Sequence, residues 1–267
     1  MPQASLLFIH GAATGAWVWD LWRREMAALG WQVNVLDLRG HGRSLPSDLS
    51  TVTMEDYVAD VASVTVQIEA AQGVHPIIAG WSMGGMVAMM YATMHAETPA
   101  LLLIEPNMPL EIAGRASAEH QRRFSGAILH PDSFGVFPND VERSREMLFD
   151  LTDEELTHYL SRCEGAEESG IAFRQNLRGI SIPEGSIACP SLALYGDVDS
   201  RADVAGWSKA LAGHLAGETL SVPGASHWGI VCHGRAVAKA APGVDRWLRR
   251  VAAASKDRSV REGEGES

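Results

Sequence analysis

The chain has 267 residues, 46% of them hydrophobic, and a formal charge of −11. That length and apolar content suit one sizeable core, and the acidic balance excludes a nucleic-acid partner held by electrostatics. Three widely spaced cysteines (Cys163, Cys189, Cys232) form no CxxC pair, the N-terminus has no basic signal region, and no apolar run approaches the roughly 18 residues of a membrane span, so a cytoplasmic protein is expected.

Ser5 to Ile9 is a compact apolar run that reads as a buried strand. A small-residue loop from His10 to Gly15 follows, then a helix to about Leu29, closed by Gly30. Gln32 to Leu36 is the next strand, and a glycine-punctuated turn, Asp37-Leu38-Arg39-Gly40-His41-Gly42-Arg43-Ser44, ends it. A helix spans about Met54 to Ala71. His75 to Ala79 is a third strand, followed by a helix to about His95, and Ala100 to Ile104 is a fourth strand ended by Glu105-Pro106. This alternation predicts an α/β fold, a mostly parallel sheet of about six strands flanked by helices.

The pattern breaks at 107–187, where apolar residues adopt helical spacing, and the segment reads as an inserted helical cap. Its acid-rich run from Asp150 to Glu168 reads as a solvated helix face. Alternation resumes with strands at Ser191 to Tyr195 and Glu218 to Val222, a helix at Ala202 to Leu215 between them, and a last helical region from Arg235 to Ala254, interrupted near Pro242. The core is thus expected at 1–106 and 188–254. Residues 255–267, charged and nearly free of large apolar side chains, predict a disordered tail.

The third strand ends in Gly80-Trp81-Ser82-Met83-Gly84. Gly-x-Ser-x-Gly between strand and helix is the pattern of a serine held on a tight turn, with glycines where side chains would collide. A hydroxyl is a poor nucleophile at neutral pH and needs a base, itself oriented by an acid. His227, on the loop after the last strand, is the expected base. Asp199, on the loop before it, is the preferred acid. Asp197 and Glu105 are its rivals, Asp197 reading better as a turn former and Glu105 following the strand after the serine. Backbone N–H groups of Met83 and Ala12 are the expected donors to a developing oxyanion. Trp17, Trp81 and Trp228 adjoin these motifs and are candidates to line an apolar pocket. His10 is expected to brace its loop. No His or carboxylate pair has ligand spacing on a helix, so neither metal nor cofactor is expected.

His10-Gly11, Asp37-x-Arg39-Gly40-His41-Gly42-x-Ser44, Gly80-Trp81-Ser82-Met83-Gly84-Gly85, Gly196-x-x-Asp199 and Gly224-x-Ser226-His227 together resemble the α/β-hydrolase superfamily, in its capped, cofactor-free branch. The resemblance implies a nucleophile at Ser82, an acid at Asp199, a base at His227 and oxyanion donors at Ala12 and Met83. It also implies a chain that starts at the family's third strand. Gly15-Ala16-Trp17-x-Trp19 resembles plant methylesterases and hydroxynitrile lyases, but Trp228 stands where those lyases carry a lysine. The activity implied is hydrolysis of a carboxylic ester or thioester of a small, partly apolar substrate. The alternatives are C–C hydrolysis, lyase or perhydrolase chemistry on the same triad, or a non-catalytic ligand-binding module. The partner expected is a small molecule, and a homodimer is compatible with the sequence.

Overall fold

A computed structural model describes residues 5–198 and 204–264, with side chains described through 254. Six parallel strands form one sheet in the order β2-β1-β3-β4-β7-β8. They are β1 (Ser5–Ile9), β2 (Gln32–Leu36), β3 (Ile77–Trp81), β4 (Leu101–Ile104), β7 (Ser191–Gly196) and β8 (Glu218–Val222). Two residue pairs in the inserted segment, β5 (Ile128–Leu129) and β6 (Glu168–Ser169), make a small antiparallel ribbon. The six-stranded sheet expected from the alternation is the sheet observed. Strand bounds differ slightly: β4 starts and β7 ends one residue later than expected, and β3 is shifted by two residues, running to Trp81 because Gly80 still pairs with Ile9 and Trp81 with Ile104.

The central strands are apolar at every position because both faces are covered. Leu6 and Phe8 point to one face with Trp81 and Ile104, where Trp19, Trp22 and Trp247 pack. Leu7 and Ile9 point to the other, where Tyr57, Met86 and Met89 pack. The edge strands β2 and β8 are largely exposed or half-buried.

Helix α1 (Asp20–Ala28) lies on the tryptophan-rich face, and α2 (Met54–Gln72) and α3 (Met83–Met94) lie on the other. Thr53 and Asp56 close a reciprocal capping box at the start of α2, and Gly73 ends it in the left-handed conformation, φ 70°. Between β4 and β7 the segment 107–187 carries α4 (Leu110–Ala113), α5 (Ala118–Arg122), α6 (Val141–Arg145), α7 (Asp153–Cys163) and α8 (Gly170–Arg178). Its buried side chains join both core layers: Leu148, Leu156 and Tyr159 on one face, Phe124, Leu129 and Phe173 on the other. Helices α9 (Val204–His214), α10 (Gly229–Cys232) and α11 (Gly234–Glu264) complete the chain.

One expectation at the C-terminus needs correction. Helix α11 carries Pro242 inside it without a break, because its apolar face, including Val237, Val244 and Leu248, is buried against the sheet. The helix is described through Glu264. Among the described residues no helix is long and apolar enough to cross a membrane.

Candidate active site

Ser82 sits between β3 and α3 with φ 54° and ψ −123°, a strained conformation costing about 1–3 kcal/mol that only a tightly determined turn maintains. The glycines around it are sterically required. A Cβ on Gly80 would overlap the Gly84 carbonyl, and one on Gly84 would overlap the carbonyls of Ile9 and His10. The turn is further pinned by Ser82 N–H donating to Ile104 O (3.2 Å) and by Asn107 N–H donating to Ser82 O (2.9 Å).

The loop after β1 passes directly beside the serine, since a Cβ on Gly11 would lie 3.1 Å from Ser82 Cβ. Ala12 and Met83, the expected oxyanion donors, lie on this loop and at the first residue of α3; both are buried. His10 is fully buried and braces the loop. Its Nε2 accepts from Leu38 N–H (3.1 Å), so Nδ1 carries the proton and donates to Gly11 O (2.8 Å). Burial, with the neighbouring His41 adding to it, lowers the His10 pKa to about 4 and keeps the ring neutral.

His227, on the loop after β8, donates from Nδ1 to Glu105 Oε2 at 2.8 Å. Glu105 directly follows β4, is buried, and adopts φ 37°, a left-handed backbone that turns its carboxylate across the end of β7. There Oε1 accepts from Gly196 N–H at 2.6 Å. Gly196 has no alternative: a Cβ there would overlap the Ala225 carbonyl and lie 3.1 Å from Glu105 Oε1. Trp81, next to the serine, donates from Nε1 to His227 O (3.0 Å), and the two rings lie 5.1 Å apart. His227 is thereby tied to the elbow through Trp81 and to β4 through Glu105.

A profile of the alpha/beta hydrolase family matches residues 6–241. The chain belongs to that family. Among curated proteins it is similar to the pimeloyl-[acyl-carrier protein] methyl ester esterases of Salmonella heidelberg and Salmonella dublin, each 32% identical over 104 residues, 39% of this chain. The match spans 37% of the length of those relatives. Among solved structures the fold is similar to a thermophilic esterase from Thermogutta terrifontis (TM-score 0.70, 21% identity, 93% of this chain and 90% of that one). It is also similar to a methylesterase from Arabidopsis (TM-score 0.66, 15% identity, 94% of this chain and 99% of that one).

Of the residues singled out in the sequence, this hydrolase structure brings Ser82, Met83, Ala12, Glu105 and His227 to one sheet edge. Asp199, the preferred acid, lies outside the described residues. Asp197 is exposed and accepts from Gly224 N–H (2.7 Å), joining two neighbouring loops. Trp17 lines a surface cleft of about 200 Å³ with Leu21, His158 and Tyr159. Trp81 and Trp228 are buried, their rings 5.0 Å apart, and form the floor beneath His227. The cysteines are free thiols. Burial pushes Cys163 up to about 12 and Cys189 up to about 11, so neither competes as a thiolate nucleophile.

The acid-rich run of the inserted segment corrects one expectation. Rather than forming one solvated face, three of its carboxylates turn inward onto the core. Asp150 accepts from Ser226 N–H and Ser226 O–H, both at 2.7 Å. Glu155 accepts from Gly234 N–H (2.7 Å) and lies 2.8 Å from His233 Nδ1. Glu168, fully buried, accepts from Tyr57 O–H (2.5 Å), Ser169 N–H (2.7 Å) and Ala13 N–H (3.2 Å). His41 Nε2 lies 3.3 Å from Glu168 Oε2. Burial opposes both charges, yet their mutual attraction prevails, raising the His41 pKa and lowering that of Glu168. Glu155 also closes a local capping box with Thr152, but nothing local in the sequence marks Asp150 or Glu168 as inward-facing, because Ser226, Tyr57 and His41 lie far along the chain.

Proposed function

We propose that the chain is a serine hydrolase that cleaves carboxylic esters or thioesters of a small, partly apolar substrate through a Ser82–His227–Glu105 triad. The observation that carries this reading is the 2.8 Å bond from His227 Nδ1 to the buried Glu105 carboxylate, beside a serine on a strained elbow. With Nδ1 committed as a donor, Nε2 is the nitrogen left to accept the Ser82 proton. Ser82 Oγ then bonds to the substrate carbonyl carbon, and negative charge moves onto the carbonyl oxygen. The amides of Ala12 and Met83 stabilise that oxygen. Collapse expels the alkoxide or thiolate, which takes its proton from His227. Water, deprotonated by the same imidazole, attacks the acyl-serine and releases the carboxylic acid. Segment 107–187 covers the site as a cap and sets substrate choice. The short stretch of similarity to methyl ester esterases supports the ester class.

The test has two parts. Intact mass after fluorophosphonate treatment gives one adduct on wild type and none on Ser82→Ala, with turnover of a p-nitrophenyl ester series abolished in the variant. Glu105→Gln then lowers kcat by about 10³-fold or more, because the imidazole loses its orienting acceptor, while Asp199→Asn stays near wild type. The reverse ranking would return the acid to Asp199. Full activity in Ser82→Ala would end the mechanism.

A further inference from the structure

We propose that Asp150, from the inserted segment, is a positioning residue for His227; this rests on His227 being the base of the reading above. Each oxygen of Asp150 takes one donor from Ser226, the residue immediately before the histidine: the amide at Oδ2 and the hydroxyl at Oδ1, each at 2.7 Å. Ser226 is itself fully buried, and its Oγ accepts from Trp228 N–H (3.2 Å) and Gly229 N–H (3.0 Å). Its carbonyl accepts from Ile230 N–H (2.9 Å). The backbone on both sides of His227 therefore hangs on one side chain, and that side chain hangs on Asp150.

The site is shaped to admit this carboxylate. A Cβ on Gly229 would overlap Asp150 Oδ2, so glycine is the residue that leaves it room. Asp150 is fixed from its own side by Leu148 and Leu151, both buried in the core layer that also holds Trp228 and Ile230. The contact spans 76 residues, from the segment between α6 and α7 to the loop after β8. The inserted segment thus does more than cover the site: it sets the base loop with a bidentate acceptor. Because Glu105 and Trp81 grip the ring and the carbonyl of His227, Asp150 supplies the remaining restraint, on the chain entering it. A misplacement of a catalytic group by about 1 Å can cost on the order of 10²-fold in rate.

The experiment compares Asp150→Asn, Ser226→Ala and Leu156→Ala on the full chain, with ester kinetics, fluorophosphonate labelling rates and thermal melts. Leu156 is buried in the same segment and its side chain has no polar group, so Leu156→Ala controls for loss of packing stability. Asp150→Asn is expected to lower kcat and the labelling rate about ten- to a hundred-fold, with KM within about two-fold. Leu156→Ala, although it melts at least as early, keeps kcat near wild type when assayed well below its melting temperature. The Asp150→Asn/Ser226→Ala double variant loses less than the product of the two single losses. Unchanged kcat in Asp150→Asn, an equal kcat loss in Leu156→Ala, or full additivity in the double variant would each overturn the proposal. If Asp150→Asn does not fold, Ser226→Ala carries the same kcat-against-KM test. Wild type that fails to label would instead overturn the reading of Ser82 and His227, which separates the two failures.

Discussion

The loop after β1 and the loop that carries His227 are both fastened by a carboxylate from the inserted segment, but the chemistry of the two fastenings differs. Glu168 is fully buried, faces the buried His41 as counter-ion, and has Tyr57 O–H and two backbone amides as donors. Asp150 is only half-buried and takes neutral donors from a single residue, Ser226. A buried charge pair costs much to form and more to break, because removing one partner strands the other away from water. A half-buried carboxylate with neutral donors leaves no stranded charge when it is neutralised. The first contact is therefore chiefly a stability element that also holds Ala13, and the second chiefly a geometric one.

The sharpest way to break that contrast is Glu168→Gln. His41 would lose the carboxylate that favours its charged form in a dry site, and a cost of up to about 3–5 kcal/mol is expected. For a chain this long, that corresponds to a drop on the order of 10 °C in melting temperature. Asp150→Asn should move the melt far less while costing more in kcat. Differential scanning calorimetry on the two variants checks the ranking. Equal melting temperatures would mean that the charge pair contributes nothing beyond its hydrogen bonds, and the two fastenings would be one kind.

What the sequence reveals divides along the same line. The alternation of strands and helices and the tight turn at Ser82 are legible because pattern and sterics constrain their residues. Gly80 is required by an overlap with Gly84 four residues on, Gly84 by the carbonyls of Ile9 and His10 on the neighbouring strand, and a buried parallel sheet demands the apolar runs of β1, β3, β4 and β7. The acid is harder. Asp199 and Glu105 both follow a strand, and choosing between them requires knowing where the side chain points. Glu105 reaches His227 only through a positive φ that a glutamate seldom adopts. Asp150 and Glu168 are illegible. They sit in a run of like charges with Asp153 and Glu154, which do face solvent, and only tertiary packing distinguishes them. The same override acts in α11, where Pro242 reads as a break and burial of the apolar face keeps the helix intact.

Acid titration sharpens the comparison from the side of the loop after β1, where two buried histidines pull in opposite directions. His10 is held neutral, with its pKa lowered to about 4 from 6.5. A depressed folded value means that the neutral form's stability is complete above the unfolded pKa and is lost as pH falls from about 6.5 to about 4, in total roughly 3 kcal/mol. His41 has a raised value, so its contribution is complete below the unfolded pKa and is lost as pH rises through the folded one. Glu168, with a lowered value, contributes above the ordinary carboxylate range and loses that contribution as pH falls through its own depressed value. Melting temperature should therefore decline on both sides of a maximum near the ordinary histidine value of 6.5. His10→Asn should flatten the acid limb between pH 6.5 and 4 and leave the alkaline limb unchanged. An acid limb of unchanged slope in that variant would assign the loss to other groups.

The smallest effect is expected at the outer end of the loop that carries His227. Asp197 reaches that loop too, accepting from Gly224 N–H at 2.7 Å, but it is exposed and Gly224 already adopts φ 81° in an open turn. A hydrogen bond of this kind contributes about 1 kcal/mol or less, because water replaces the lost acceptor. Asp197→Asn should shift the melt by only about 2 °C and leave kcat and KM within about two-fold of wild type. Set beside Asp150→Asn, it asks whether any carboxylate touching this loop affects the rate or only the one bound to Ser226. A large kcat loss in Asp197→Asn, with the melt unchanged, would show that the loop's position depends on its exposed end. The distinction between a buried, bidentate restraint and an exposed, single one would then have to be abandoned.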